Sequence, residues 1–238
     1  MSTRLVVTST EDLTPTLRRV WFRSDDLSAF AGSAFTDRYV KLVLPDAVRT
    51  YTALHPDVEA GTLAIDFVLH GDSGVAGPWA RRAQPGDTLT VNGPGGAYAP
   101  DPGADAHLLA GDESAVPAIS AALAALPPDA VGIALVLVDS ADHEPALDAP
   151  VGVELRFLHR DGSDEQLSDA VRAWPWPEGR VQAFVHGEAQ EVMHAVRPYL
   201  LKERGLPRAD ASISGYWRRG RTEEGFREWK SALAAAEA

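Results

Sequence analysis

Arg49-Thr50-Tyr51-Thr52 brings together a cation, a flat aromatic ring and hydroxyls within four residues. The segment follows the apolar run YVKLVL and precedes a turn-like LHPD, so it reads as a surface loop. An extended conformation is expected to turn Arg49, Tyr51 and Thr52 to one side, where they suit a ligand with a phosphate, a flat ring and a hydrogen-bonding ring atom. Four residues alone do not separate that reading from an ordinary edge strand with solvated side chains.

Two crossings further on have the makings of a nucleotide site. In LLAGDESAVPAI, Gly111 permits a tight turn after a short apolar strand, and Ser114 is expected to cap the helix that follows. Asp112 and Glu113 repel phosphate, and the loop is not a GxGxxG, so a plain capped helix remains open. FVHGEAQEV repeats the strand–glycine–acid–helix order at Gly187 and Glu188. In HGDSGVAGPWA, Ala76 and Gly77 precede a short helix whose N–H groups suit a diphosphate. Trp79 either covers a neighbouring ring or belongs to the core.

Other chemistries find no support. The chain has no cysteine, hence no disulfide, thiolate nucleophile or cysteine-bound cluster. Its seven histidines lack metal-ligand spacing and read as structural. Ser114 and Ser214 lie outside any G-x-S-x-G elbow. Redox chemistry must therefore come from a bound organic cofactor or a metal with N/O ligands. A formal charge of −12 argues against a nucleic-acid partner. No run reaches the length of a membrane span, and no signal peptide is read at the N-terminus, so a cytoplasmic location is expected.

At 238 residues, two domains of roughly 100–140 residues are expected. TLRRVWF, YVKLVL, TLAIDFVLH and DTLTVNGP are strand-like runs divided by Gly, Pro, Asp and Ser, the pattern of a small antiparallel barrel. GPWARRAQPGD reads as a short helix ended by Pro85 and Gly86. The Pro/Gly-rich stretch NGPGGAYAPDPGADAH marks the change of rhythm. Beyond it AHLLAG, VGIALVLVDS, VELRFLH, RVQAFVHG and DASISGY read as strands. SAVPAISAALAAL, EQLSDAVRAW, EAQEVMHAVRPYLLKERG and TEEGFREWKSALAAA read as helices, giving a doubly wound α/β domain. WPWPEG is expected to place Trp174 and Trp176 over the core.

FTDRYVKLVLP, RTYT, DFVLHGDSGVAGPWARRAQPGD, GPGG, LLAGDESAVPAI and SGYWRRGRTEE together resemble the siderophore-interacting proteins of the ferredoxin-reductase superfamily, over nearly the whole chain. The resemblance implies a six-stranded antiparallel FAD-binding barrel over residues 1–98 and a parallel-sheet NAD(P)-binding-like domain over 99–238. It implies an FAD-containing ferric-siderophore reductase for iron uptake, fed by NADPH or NADH. Arg49 would contact the diphosphate, Tyr51 would stack on the isoalloxazine, and Thr52 would approach flavin N5, so that Tyr51 and Thr52 carry the catalytic expectation. Phe67, Val68 and His70 would line the flavin, and Ala76, Gly77, Trp79 and Ala80 the diphosphate and adenine. Gly111, Asp112, Glu113, Ser114, Gly187 and Glu188 match the nicotinamide loops. Tyr216, Trp217, Arg218 and Arg219 lie at the substrate end.

Where many family members have a second arginine after RxYT, this chain has Ala53-Leu54-His55, so one cationic contact is missing. The chain has only three lysines, Lys41, Lys202 and Lys230, so a positive siderophore pocket must rest mainly on arginine. Alternatives remain: a flavin reductase, an electron carrier working with a ferredoxin-like donor or acceptor, or a non-enzymatic siderophore or flavin binder. A monomer is the default.

Overall fold

The computed structural model describes residues 2–45, 47–69 and 74–220, together with Gly225. Six antiparallel strands close a barrel: β1 (Ser2–Thr14), β2 (Leu17–Arg23), β3 (Tyr39–Leu44), β4 (Ala47–Asp57), β5 (Thr62–Val68) and β6 (Thr88–Gly95), in the order β1-β2-β5-β4-β3-β6. Closure depends on β1. Its first residues pair with β6 and the remainder with β2, and register shifts at Val7/Ser9 and Asp12/Thr14 bend it from one partner to the other. Leu5, Val20, Phe22, Val40, Leu42, Leu63, Ile65 and Phe67 fill the interior. An ion pair between the half-buried Arg19 and the buried Asp66 (2.7 Å) ties β2 to β5.

The segment RTYT is not a loop. It lies inside β4, paired with β3 from Ala47↔Leu44 to Thr52↔Tyr39. Valine, threonine and tyrosine favour an extended chain once a partner strand is available, which overrides the turn suggested by the following proline. The short helix α1 (Ala76–Arg82) follows β5 and buries Ala76 and Ala80 against the barrel.

The connection over 96–105 is held on both sides. Asp37 Oδ1 accepts the amides of Ala97 (2.9 Å) and Tyr98 (3.0 Å), and the Gln182 amide grips Asp101 N (2.8 Å) and Ala99 O (3.1 Å). Beyond it five parallel strands run in the order β11-β10-β7-β8-β9, where β7 is Ala106–Asp112, β8 Gly132–Val138, β9 Val153–His159, β10 Val181–Glu188 and β11 Ala211–Trp217. All of β7 and nearly all of β8 are buried, as expected of central parallel strands covered on both faces. Helices α2 (Val116–Ala125) and α3 (Gln166–Ala173) follow β7 and β9.

The helix expected after β10 begins as one α turn, Ala189–Glu191, and continues in wider π-type turns, Val192–Val196 and Tyr199–Glu203. Pro198 sits between these turns. It has no N–H to donate and its ring crowds the carbonyl four residues back, which a widened turn relieves. The helix expected in TEEGFREWKSALAAA lies outside the described residues, apart from Gly225. Among the described residues, no helix is long and apolar enough to cross a membrane.

The two halves share an apolar seam. Leu13, Leu17 and Val68 of the barrel pack in one cluster with Tyr98, Leu109, Ala115, Val116 and Ile119. The strand order reverses between β7 and β10, so their C-terminal ends open the crevice in which such sheets bind ligands.

Candidate flavin and nucleotide site

In the barrel, β4 places Arg49 and Tyr51 on one face, opposite the core residues Leu42 and Val40 of β3. Strand alternation sends Thr52 to the other face, opposite Tyr39, so the expectation that all three share a side is corrected for Thr52. The half-buried Tyr51 ring lies 4.8 Å from Phe67, which lies 5.6 Å from Trp79, which in turn stacks 6.3 Å from Phe22. Trp79 therefore packs on the barrel core. At Gly77 a Cβ would fall 3.3 Å from Val68 O, so the start of α1 presses on the end of β5, and its first turn carries no acid. The structure thus gathers Tyr51, Phe67 and Trp79 into one cluster, with Val68 and Gly77 in contact beside it. His70 lies outside the described residues.

Ala53 and Leu54, in the place of a second arginine, are buried. His55 has a positive φ of 48° and lies over Trp21, ring centroids 5.8 Å apart.

At the switch point one buried carboxylate joins three strands. Asp112 Oδ1 accepts the Ser114 amide (2.9 Å) and hydroxyl (2.5 Å); Oδ2 accepts the Glu188 amide (2.8 Å) and the Trp217 indole N–H (2.7 Å). Burial pushes this carboxyl above its ordinary range, against the pull of the Ser114 and Trp217 donors. Ser114 is consequently not the cap of α2. Its hydroxyl is turned back to Asp112, and α2 starts after Ala115 with a proline in its first turn. The capping expected there occurs instead at the second crossing, where Glu188 Oε2 accepts the Glu191 amide (3.0 Å).

Gly111 and Gly187 are glycines for lack of space. A Cβ at Gly111 would lie 2.4 Å from His186 O, and one at Gly187, whose φ is +150°, would lie 2.7 Å from Asp112 Oδ2. Glu113 turns away to pair with Arg160 (2.7 Å, Oε2 to Nη2). At the end of β11, Arg219 N donates to Glu188 Oε1 (3.0 Å), its guanidinium pairs with Asp164, and Arg218 donates to Gln190 (2.9 Å). Gly111, Asp112, Ser114, Gly187, Glu188 and Trp217 are therefore one constellation, with Arg219 at its edge.

From the connection into the parallel sheet runs an aromatic column that the sequence did not announce: Tyr98 against Phe184 (4.9 Å), Phe184 on His186 (4.0 Å), and His186 edge-on to Tyr216 (4.7 Å). Tyr98 Oη is buried and, among the described residues, has no hydrogen-bond partner. Burial and the nearby Asp37 push its phenol above the ordinary range. Only the strand-like pattern around Phe184 and His186 hinted at this column, because its members are far apart in the chain.

Glu191 supplies a pH test. Its Oε1 accepts the Ser168 amide (2.8 Å), and burial, with the charges of Asp112 and Glu188, raises its pKa from 4.5 to about 7. The folded protein therefore holds a proton between those values that the unfolded chain releases, so this group's stabilisation is complete below pH 4.5 and is lost as the pH rises through about 7. Glu191→Gln, which keeps an acceptor for the amide, should match the parent at pH 5 and exceed it by about 1–2 kcal/mol at pH 8. Urea midpoints at both values check this; equal gains at both would contradict it.

Among the described residues, no cluster of three or more His, Cys, Asp or Glu side chains offers a metal site.

Residues 6–48 and 46–98 match the model of the siderophore-interacting FAD-binding domain, and 104–220 that of the siderophore-interacting protein. An uncharacterized protein of Mycobacterium tuberculosis is 48% identical, over 98% of this chain and 95% of that one. The ferric vibriobactin reductase ViuB of Vibrio cholerae is 38% identical over 76% of this chain and 68% of its own length. The crystal structure of the siderophore-interacting protein SipS from Aeromonas hydrophila superposes with a TM-score of 0.85 at 31% identity, covering 98% of each chain. The ferredoxin reductase of carbazole 1,9a-dioxygenase, at 18% identity and a TM-score of 0.69 over 91% of this chain and 70% of that one, shares the fold alone. With its ferredoxin-reductase-like barrel and parallel sheet, the chain belongs to the siderophore-interacting protein family.

Proposed function

We propose that this protein is an FAD-dependent ferric-siderophore reductase that draws electrons from NAD(P)H and releases iron as Fe(II). The observation that carries the reading is the ring cluster of Tyr51, Phe67 and Trp79 beside Arg49, set in a barrel that matches the family's FAD-binding domain. The likeness to a ferric vibriobactin reductase supports the choice of acceptor.

The residues present fit the cofactor. Arg49 is suited to the diphosphate as a permanent cation, and Tyr51, on the same face of β4, offers a flat ring. Small residues at Ala76 and Gly77 let the backbone come close, while the first turn of α1 brings no carboxylate against a phosphate. When bound, FAD supplies the exchange between two-electron and one-electron chemistry that an iron reductase needs.

The remaining work belongs to the chain. The loops at Gly111–Ser114 and Gly187–Glu188 hold the nicotinamide nucleotide, with the Asp112 hydrogen bonds fixing their spacing. Tyr216, Trp217, Arg218 and Arg219 border the entry, where arginine suits anionic chelate oxygens. Each NAD(P)H carries two electrons and so serves two Fe(III) centres. Fe(II), a softer ion, is held less firmly by hard oxygen ligands and departs.

The test is direct. Purified FAD-loaded protein, without oxygen, is mixed with NADPH or NADH, a ferric siderophore and a ferrous-specific chelator. Formation of the coloured ferrous complex at a rate that depends on protein supports the reading. Reduction of free flavin or of a carrier protein alone would replace it with a general flavin reductase.

A residue test separates the diphosphate from the ring. Arg49→Ala should weaken FAD about tenfold and leave riboflavin affinity nearly unchanged, since one charge-assisted contact is worth about 1.5–3 kcal/mol in the buried limit and Arg49 is only half-buried. Fluorescence titration with both flavins checks this. Equal losses would mean that Arg49 serves another group.

A further inference from the structure

The outer face of β3 carries Tyr39, Lys41 and Val43 in alternation, all exposed. Tyr39 is 40% exposed and stands directly opposite Thr52 of β4 and Gly95 of β6. Since β3 lies between β4 and β6, the Tyr39 ring, which covers Gly95 of β6, leans away from Thr52. Its position is built into the backbone. A Cβ at Gly95 would fall 2.4 Å from Tyr39 Cζ, and a Cβ at Gly96 would fall 2.6 Å from Phe35 Cβ. Two glycines therefore let two aromatic side chains lie on main chain, and Phe35 keeps 41% of its surface open.

The acid nearest these rings in the chain, Asp37, is buried with its Oδ1 on the Ala97 and Tyr98 amides. Across the two flanking strands, Tyr39, Lys41 and Val43 pair with Thr52, Thr50 and Val48 on one side and with Gly95, Asn92 and Thr90 on the other. This face carries one of the chain's three lysines and no acid among those neighbours, in a protein of net charge −12. Two exposed aromatic rings with an adjacent cation suit a ligand that is both aryl and anionic.

We propose that Phe35 and Tyr39, laid on the Gly95–Gly96 backbone, form a seat for the aryl arms of a ferric siderophore, giving the protein a preference for catecholate-type chelates over hydroxamate ones. This rests on the reductase reading above and names its substrate class. A tris-catecholate iron complex presents flat rings on its outside and carries net negative charge, matching the rings and Lys41. A tris-hydroxamate complex presents no aryl face and is neutral around the metal.

The test uses FAD-loaded full-length protein and redox-inert gallium(III) complexes of one tris-catecholate and one tris-hydroxamate chelator, titrated by calorimetry. The parent should bind the catecholate complex about tenfold more tightly than the hydroxamate. The double variant Phe35→Ala with Tyr39→Ala should lose about tenfold for the catecholate, hold its hydroxamate affinity and keep its FAD. Tyr39→Phe should retain the parent's affinity, which guards against a loss caused by misfolding. Equal weakening of both complexes, no weakening, loss of FAD from the double variant, or failure of the parent to bind either complex would each overturn the proposal. The reductase reading falls separately: a protein that binds the gallium catecholate through these rings yet yields no Fe(II) from the ferric one retains the seat and loses the reaction.

Discussion

Tyr51→Ala should yield a folded protein that no longer retains its flavin. The phenol is half-buried, and on one side it rests on Phe67, which Trp79 and Phe22 continue into the barrel core. Truncation removes the ring but leaves that support, so the structural cost is about 1–2 kcal/mol, below that of a fully buried aromatic. The flavin loses both contact area and an aromatic pairing, together about 2–3 kcal/mol, or roughly a hundredfold in affinity. Tyr51→Phe preserves the face and should stay yellow. Gel filtration followed by the ratio of flavin to protein absorbance reads the result. Full retention of flavin by the alanine variant would remove Tyr51 from the cofactor site.

Asp112 should be the most sensitive position of the second domain. Asp112→Ala leaves the Ser114 amide and hydroxyl, the Glu188 amide and the Trp217 indole without their acceptor, all at the junction of β7, β10 and β11. Leaving several buried donors without their acceptor costs about 3–5 kcal/mol. For a chain of this length that amounts to a fall in Tm of roughly 10 °C. Asp112→Asn is not a mild substitute. Both carboxylate oxygens accept from N–H groups, so either orientation of the amide sets its NH2 against a donor. Because the damage is local to the switch point, the variant should keep FAD while NAD(P)H-driven flavin reduction slows at least about tenfold, the consequence of a site displaced by a fraction of an ångström. Thermal melting and anaerobic stopped-flow absorbance measure the two effects. A variant as stable as the parent and reduced as fast would contradict this role.

Much of this architecture was legible from residue types. Alternating β-branched runs divided by glycine and proline indicated the barrel, and the change to buried runs such as GIALVLV indicated the parallel sheet. What escaped has physical reasons. β1 is rich in Ser, Thr, Glu and Asp and is bent by two register shifts, so its thirteen residues show little more than a short apolar patch. RTYT looked like a loop because propensity alone cannot show that β3 is beside it. Ser114 looked like a cap, but a buried carboxylate two residues away competes for the same hydroxyl and wins. The Asp112–Trp217 contact spans 105 residues, and nothing local in either segment points to the other. The seat formed by Phe35 and Tyr39 is a property of strand register and of where glycines fall, which become visible only when β3 is set beside β6.

The measurement closest to the central claim is the visible absorbance spectrum of the purified full-length protein, taken without oxygen before and after NAD(P)H and again after a ferric siderophore. The account predicts flavin bands near stoichiometric with protein, bleached by the nicotinamide donor and restored as Fe(II) appears. A folded protein that is colourless and gains no bands when FAD is added would contradict it.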